Sequence, residues 1–296
     1  MKTIQKSLFL PSLNGKNMKK LSFFSLVLLT VFLATSCNDN VTSVRYISFN
    51  IRNSGAHDGD NAWDLRKSAT KQMLDIEQPT VFGLQEALPD QLAFIDENFP
   101  QFSRVGVGRD DGKEVGEFMA LYYRNDLYDL LDSGNFWLSE TPDVPDFGWD
   151  AACIRIVTWA CLQDKATEKR FYAFNTHLDH VGMVAREQSI LLIVDKMREI
   201  VKDVNAPVIL SGDFNSDISW SIFDPLKAEM NDSREFLDVS EWANSFNGWG
   251  RSPEDAKIID YIFYKNAKVV GFRTLNGDYG KPYISDHYPI CAEFKF

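Results

Sequence analysis

Residues 208–215 read Val-Ile-Leu-Ser-Gly-Asp-Phe-Asn. A short β-branched, apolar run bounded by turn residues is a buried strand. This one stops abruptly in a glycine, a carboxylate (Asp213) and an amide (Asn215). The same grammar recurs along the chain. Residues 44–50, Val-Arg-Tyr-Ile-Ser-Phe-Asn, end at Asn50, and the strand-like 80–85 runs into Gln85-Glu86. The strand-like 170–176 ends at His177, Ile258-Ile259 ends at Asp260, and Ser285-Asp286-His287 precede a last strand at 290–294. Carboxylates, amides and imidazoles gathered at sheet ends make a polar pocket on a rigid frame. Taken singly, each has an ordinary structural reading. Asn50 could close a turn, Glu86 could cap a helix, 212–215 could be a common loop, and Asp286-His287 could be a solvated pair. The weight lies in the set.

Outward from these runs, helices are expected over 64–77, 89–98 and 184–202. In the first, Leu65, Ala69, Met73 and Ile76 fall near one face, with Asp64 as cap. In the last, Ile190, Val194, Met197 and Val201 are in register. Further strands are expected at 101–107, 118–123, 127–138, 153–163 and 268–274. With no internal repeat or long linker, one domain over 44–296 is the simplest organisation. Strand runs broken by helices fit an α/β class with two packed sheets flanked by helices.

The 296 residues are 45% hydrophobic, enough for one sizeable core, and carry a formal net charge of −11. Residues 1–36 hold five lysines and no acid, so the remainder is more acidic still. That disfavours non-specific nucleic-acid binding, which rests on Lys/Arg neutralising phosphates, and fits a carboxylate-rich site that needs cations. Lys19 and Lys20 precede an apolar run at 21–34, then Thr35-Ser36-Cys37. A basic start, a short apolar stretch and small residues make a secretory signal over 1–36. The run is shorter than the roughly 20 residues of a spanning helix. Met18 makes a better start than Met1, because Met18-Lys19-Lys20 opens a signal of ordinary length. Small residues before Cys37 resemble a bacterial lipobox. That resemblance implies lipidation of Cys37, a tether over 38–43, and an extracytoplasmic, membrane-anchored lipoprotein. Cys153, Cys161 and Cys291 lie in apolar stretches and read as buried free thiols. The spacing His177-x-x-His180 has no cysteine near it in sequence and does not look like a zinc site.

In order along the chain, Ser-Phe-Asn (48–50), Leu-Gln-Glu (84–86), Asn-Thr-His (175–177), Gly-Asp-Phe-Asn (212–215), Ile-Asp-Tyr-Ile (259–262) and Ser-Asp-His-Tyr-Pro (285–289) resemble the signatures of the endonuclease/exonuclease/phosphatase superfamily. The resemblance implies a deoxyribonuclease-I-like four-layer α/β-sandwich. It also implies a hydrolase of phosphoester bonds, a phosphodiesterase or phosphatase, dependent on Mg²⁺ or Mn²⁺. By the same resemblance Asn50, Glu86 and Asp286 belong to the metal site, Asp213 orients or deprotonates the attacking water, and Asn215 and His177 contact the phosphate. His287 then contacts the scissile phosphate and takes part in acid–base catalysis, with its pKa raised by Asp260. Arg52 stands where some nucleases of the family carry an acid, so a second metal held there is not implied.

Outside the shared motifs, Arg109 and His180 are candidates for lining the site. Trp63, Arg66, Trp149, Arg155 and Arg186 are weaker ones, since most tryptophans are core and most arginines paired. A small or lipid-linked phosphoester is the first substrate expectation. An extracytoplasmic DNA or RNA nuclease is the alternative. A surface-binding lipoprotein without catalysis comes third, because no catalytic group is missing.

Overall fold

The run at 44–50 forms strand β1 (Ser43–Asn50), and its alternation explains the layers. Val44 and Tyr46 point to one face, Ile47 and Phe49 to the other, and all four are buried. A strand covered on both faces sits between two apolar layers. The computed structural model, which describes residues 40–251 and 257–296, supplies both. The signal, Met18, Cys37 and tether residues 38–39 lie outside the described residues. The far end of the expected tether is part of the fold instead, since Thr42 is buried and paired through its backbone with Phe296, and Ser43 already belongs to β1. Among the described residues, no helix is long and apolar enough to cross a membrane.

The other strands are β2 (Val81–Gln85), β3 (Phe102–Val105), β4 (Leu121–Arg124), β5 (Tyr128–Trp137), β6 (Ile156–Asp164), β7 (Arg170–His177), β8 (Val208–Asp213), β9 (Asn231–Asp232), β10 (Asp260–Lys265), β11 (Lys268–Thr274) and β12 (Ile290–Lys295). They form two six-stranded sheets, ordered β11-β12-β1-β2-β4-β3 and β5-β6-β7-β8-β10-β9. Helices α1 (Trp63–Glu77) and α2 (Pro89–Asn98) cover the outer face of the first sheet through Met73, Leu74, Leu92 and Ile95. Helix α3 (Met183–Ile200) covers the second through Ile190, Val194 and Met197. The result is the expected helix–sheet–sheet–helix sandwich.

Each sheet contains one parallel pair bridged by a helix: β1 with β2 through α1, and β7 with β8 through α3. The C-terminal ends of both pairs open on the same edge of the sandwich. Register puts Asn50 opposite Gln85 in one sheet, and His177 opposite Asp213 in the other. Between the sheets lies an apolar layer that includes Tyr46, Val81, Phe171, Ile209 and Ile262. Nearer the site this layer turns polar. Gln85 Nε2 donates to Asn175 Oδ1 at 2.7 Å, Asn175 Nδ2 donates to the Leu84 carbonyl at 2.8 Å, and Tyr46 Oη meets Ser211 Oγ at 2.7 Å. Gln85 and Asn175, both motif residues, therefore join the sheets. Gly83 is small because of them: a Cβ there would lie 2.8 Å from the Asn175 side chain.

Helix α1 departs from its expected face. Leu65 and Ile76 are 50% and 56% exposed, and the buried row runs through Trp63, Arg66, Ala69, Thr70 and Met73. The N-cap is Ala62, without a side-chain bond, and Asp64 instead sits in the first turn, where its charge faces the helix N-terminus. What turns the helix is Arg66, 1% exposed, whose guanidinium donates to the carbonyls of Ile51, Arg52, Asn61 and Ile284. It ties the chain leaving β1 to the chain entering the Ser285–His287 segment. Arg66→Met would leave these carbonyls without donors. We expect it to lower stability by about 3 kcal/mol in urea unfolding, and a loss under ~1 kcal/mol would refute this role.

Candidate active site

The six strand-end motifs converge on one cleft of about 390 Å³, lined by residues that include Arg52, Glu86, His177, Asp213, Asn215, Asp286 and His287. Three of the chain's four histidines line it. Gly212 permits the closest approach of its two central strands: a Cβ there would lie 2.2 Å from the Thr176 carbonyl oxygen. His177 and Asp213 thus end side by side, with His177 Nε2 3.4 Å from Asp213 Oδ2.

Asn50 sits at the middle. Its Nδ2 donates to Glu86 Oε1 and Asp213 Oδ2, both at 3.0 Å, and its Oδ1 accepts from the Arg52 amide at 3.0 Å. One amide therefore sets the spacing of carboxylates from opposite sheets. Glu86 also accepts from the Asn53 amide at 3.2 Å and from its side chain at 3.1 Å. Asn215 donates to the Leu178 carbonyl at 3.0 Å, and its Nδ2 is 3.0 Å from His177 Nε2. Arg52, Glu86 and Asn215 hold φ of +57°, +62° and +48°. Left-handed backbone is costly for arginine and glutamate and persists where surrounding bonds over-determine it.

His287 Nδ1 lies 2.8 Å from Asp260 Oδ2, and its Nε2 faces Asp213 Oδ2 at 3.6 Å. Burial works against its charge. The Asp260 and Asp213 carboxylates outweigh it and push its pKa up to about 10. Asp213 is raised to about 7, first by burial and then by the charge of Asp260. Burial raises Asp286 as well, aided by Glu86. His177 goes the other way: burial, with the charges of Arg155 and Arg109 nearby, holds it well below its usual value. The two histidines are thus separated in role, His287 cationic and His177 neutral at neutral pH.

The donor set fits a hard divalent cation at the Glu86–Asp286 pair. Arg52 lies 3.9 Å from Glu86 and 3.7 Å from Asp286, and it is also paired with Asp58 at 3.0 Å. Arg66 and the cationic His287 act on the same acids, but with Asp213 and Asp260 included five carboxylates face these three cations, which leaves negative charge over, and carboxylate oxygens suit Mg²⁺ or Mn²⁺. Asp213, Asp260 and His287 also lie within reach of a common ion. Their mutual hydrogen bonding and the bond from Asn50 already occupy the relevant atoms.

Of the candidates outside the shared motifs, Arg109 and His180 line the cleft, and so does the weaker candidate Arg155. Arg66 belongs to the core beside Trp63, which packs edge-on against Phe94. Trp149 is not among the lining residues. Arg186 is turned inward and donates to the Asp179 carbonyl at 2.8 Å. Glu117, Asn53 and Phe246 line the cleft without having been singled out from the sequence. Glu117 had a signal: it is an acid directly before the apolar run at 118–123, the same strand-end grammar in reverse. The fold also sets Cys153 beside Asp179 and His180, a neighbour that His180 lacks in sequence. Asp179 is already saturated, accepting from the amides of Cys153, Val181 and Gly182 and from Arg155. Against the effect of burial, the amides of Gly182, Val181 and Ala152, with Arg155, hold its pKa down to about 2. Among the described residues Cys153, Cys161 and Cys291 are free, and only the last two are fully buried.

A model of the Endonuclease/Exonuclease/phosphatase family matches residues 47–287. A solved endonuclease/exonuclease/phosphatase from Bacteroides vulgatus is 39% identical, with TM-score 0.80, covering 86% of this chain and 98% of its own. A mannosyl-6-phosphatase of Bacteroides thetaiotaomicron is 35% identical, with TM-score 0.79, covering 86% of this chain and 100% of its own. An uncharacterized protein of Acanthamoeba polyphaga mimivirus is 26% identical over 256 residues, 79% of this chain and 92% of that protein.

Proposed function

From the premise that the chain belongs to the endonuclease/exonuclease/phosphatase family and is a hydrolase, we propose that it cleaves a small phosphomonoester with the help of Mg²⁺ or Mn²⁺. The observation that carries this reading is the buried constellation in which Asn50 spaces Glu86 from Asp213 while Asp260 holds His287. The limited volume of the cleft and the likeness to a mannosyl-6-phosphatase favour a small ester over a polymer.

Glu86 and Asp286 would hold the ion, with Asn50 fixing Glu86 relative to Asp213. When bound, the ion supplies positive charge to phosphoryl and leaving-group oxygens. Asp213, raised to about 7, is matched to accept a proton from water near neutrality, where a general base is most effective. His287, held as imidazolium by Asp260, presents Nε2–H to a phosphoryl oxygen and stabilises the charge that develops there. Asn215 and neutral His177, held 3.0 Å from each other, lie beside the same group.

The test is hydrolysis of p-nitrophenyl phosphate and bis-p-nitrophenyl phosphate by protein lacking residues 1–37, with Mg²⁺, Mn²⁺ or EDTA. We expect faster release from the monoester, lost on chelation and restored by metal. Release that survives exhaustive chelation, or plasmid DNA cleaved faster than either ester, would sink the reading.

A further inference from the structure

One wall of the cleft takes no part in the chemistry above. Arg109 pairs with Glu117 through its NH1, and its backbone is pinned by Trp137, whose Nε1 donates to the Arg109 carbonyl at 2.7 Å. Beside it Arg155, with a side chain 4% exposed, meets Asp179 at 3.3 Å through Nε, and its NH2 lies 3.0 Å from His180 Nδ1. Arg109 Nε and Arg155 NH1 are buried without a hydrogen-bond partner among the described residues. Arg109, Glu117, Arg155 and His180 all line the same cleft as Asp213 and His287.

The charge pattern of this wall selects among the groups an ester could carry. Each guanidinium already faces a carboxylate, so the wall is close to neutral. A second phosphate would approach Glu117 directly and gain little net attraction. An alkyl chain would strip water from two ion pairs and return no hydrogen bond. A hydroxyl does both jobs at once: it donates to a carboxylate and accepts from a guanidinium. Several hydroxyls on one ring would engage both pairs.

We propose that the Arg109–Glu117 and Arg155–His180 pairs form a hydroxyl-recognising wall, and that the substrate is the phosphomonoester of an uncharged, polyhydroxylated alcohol, a sugar phosphate. This rests on the reading of the cleft as a phosphomonoesterase site. The wall acts on the alcohol portion, so its loss is read mainly in KM, while the groups around Asp213 set kcat.

Steady-state kinetics on p-nitrophenyl phosphate, a hexose 6-phosphate and a hexose 1,6-bisphosphate, each with Mg²⁺, tests it. The unaltered protein is expected to prefer the hexose 6-phosphate by kcat/KM over both others. Glu117→Gln is expected to raise KM for that substrate about tenfold or more with kcat within about threefold, as for loss of one charged hydrogen bond. The same substitution is expected to change kcat/KM for p-nitrophenyl phosphate less than about threefold, because that ester carries no sugar hydroxyl. Arg109→Lys gives the same split by a second route if Glu117→Gln folds poorly. Preference for the bisphosphate, or equal losses on all three esters, would overturn the wall while leaving the phosphomonoesterase standing. Failure to hydrolyse any of the three with metal present would overturn both.

Discussion

Asp213→Asn is expected to lower kcat/KM by about a thousandfold or more while leaving the fold intact. Asparagine keeps the shape of the side chain and can still meet Asn50 and the histidines. It cannot accept a proton, and it removes the charge that Asn50 and His287 are arranged around. The residue is 1% exposed, and its carboxyl is raised from 3.8 to about 7, first by burial and then by Asp260. The sign of the linked stability follows. A carboxyl raised on folding costs stability as pH climbs from its ordinary value through about 7. In EDTA, the variant should therefore match the parent below pH 3.8, gain on it as pH rises, and hold a constant lead above about 7. Urea melts across that range, with a metal-supplemented phosphatase assay, measure both halves. Activity within about tenfold of the parent would remove Asp213 from the chemistry. A variant that unfolds would mean that the carboxylate is structural.

His287→Gln carries the second large effect. The imidazolium stands between Asp260 at 2.8 Å and Asp213 at 3.6 Å, all three buried. Removing it takes away the donor to the phosphoryl group and leaves two carboxylates on antiparallel partners, Asp260 opposite Asp213, without their cation. We expect kcat/KM to fall about a thousandfold. We expect stability to fall by about 3 kcal/mol, as when one member of a buried pair is lost. His287 is raised on folding from 6.5 to about 10. Its contribution is thus fully present below pH 6.5 and is lost as pH rises through about 10. The stability gap between parent and variant should be widest on the acid side and close toward pH 10. A gap that widens with pH would show that the imidazole acts there as a neutral group.

These two residues were legible in the sequence because each interrupts an apolar run at its end. Asp213 follows Val-Ile-Leu-Ser-Gly, and His287 precedes the strand that begins at Ile290. The same grammar located Asn50, Glu86, His177, Asn215, Asp260 and Asp286, and all eight share the site. Helix α1 shows where such reading fails. Its apolar residues define two overlapping rows, and periodicity favoured the one through Leu65 and Ile76. The structure buries the row through Arg66, because four backbone carbonyls from other segments wait for that guanidinium. Arginine carries no local sign of such acceptors, so hydropathy placed it outside.

The sequence by itself determined the strand runs, the helices that interrupt them, the order of the polar strand ends, and thereby the layered sandwich. These depend on residues a few positions apart, through backbone propensity and the alternation of apolar side chains. Only the tertiary structure decided which strand ends face each other and what burial does to them. Asn50 and Asp213 are 163 positions apart yet bonded at 3.0 Å. The separation of a cationic His287 from a neutral His177 arises because burial disfavours both charges, carboxylates overcome it at His287, and arginines add to it at His177. The wall is likewise a tertiary product: Arg109 and Glu117 share the β3–β4 loop, Arg155 stands just before β6, and His180 follows β7. Desolvation and Coulomb interaction act through space in a low-dielectric interior, so their values are set by partners that the local sequence does not contain.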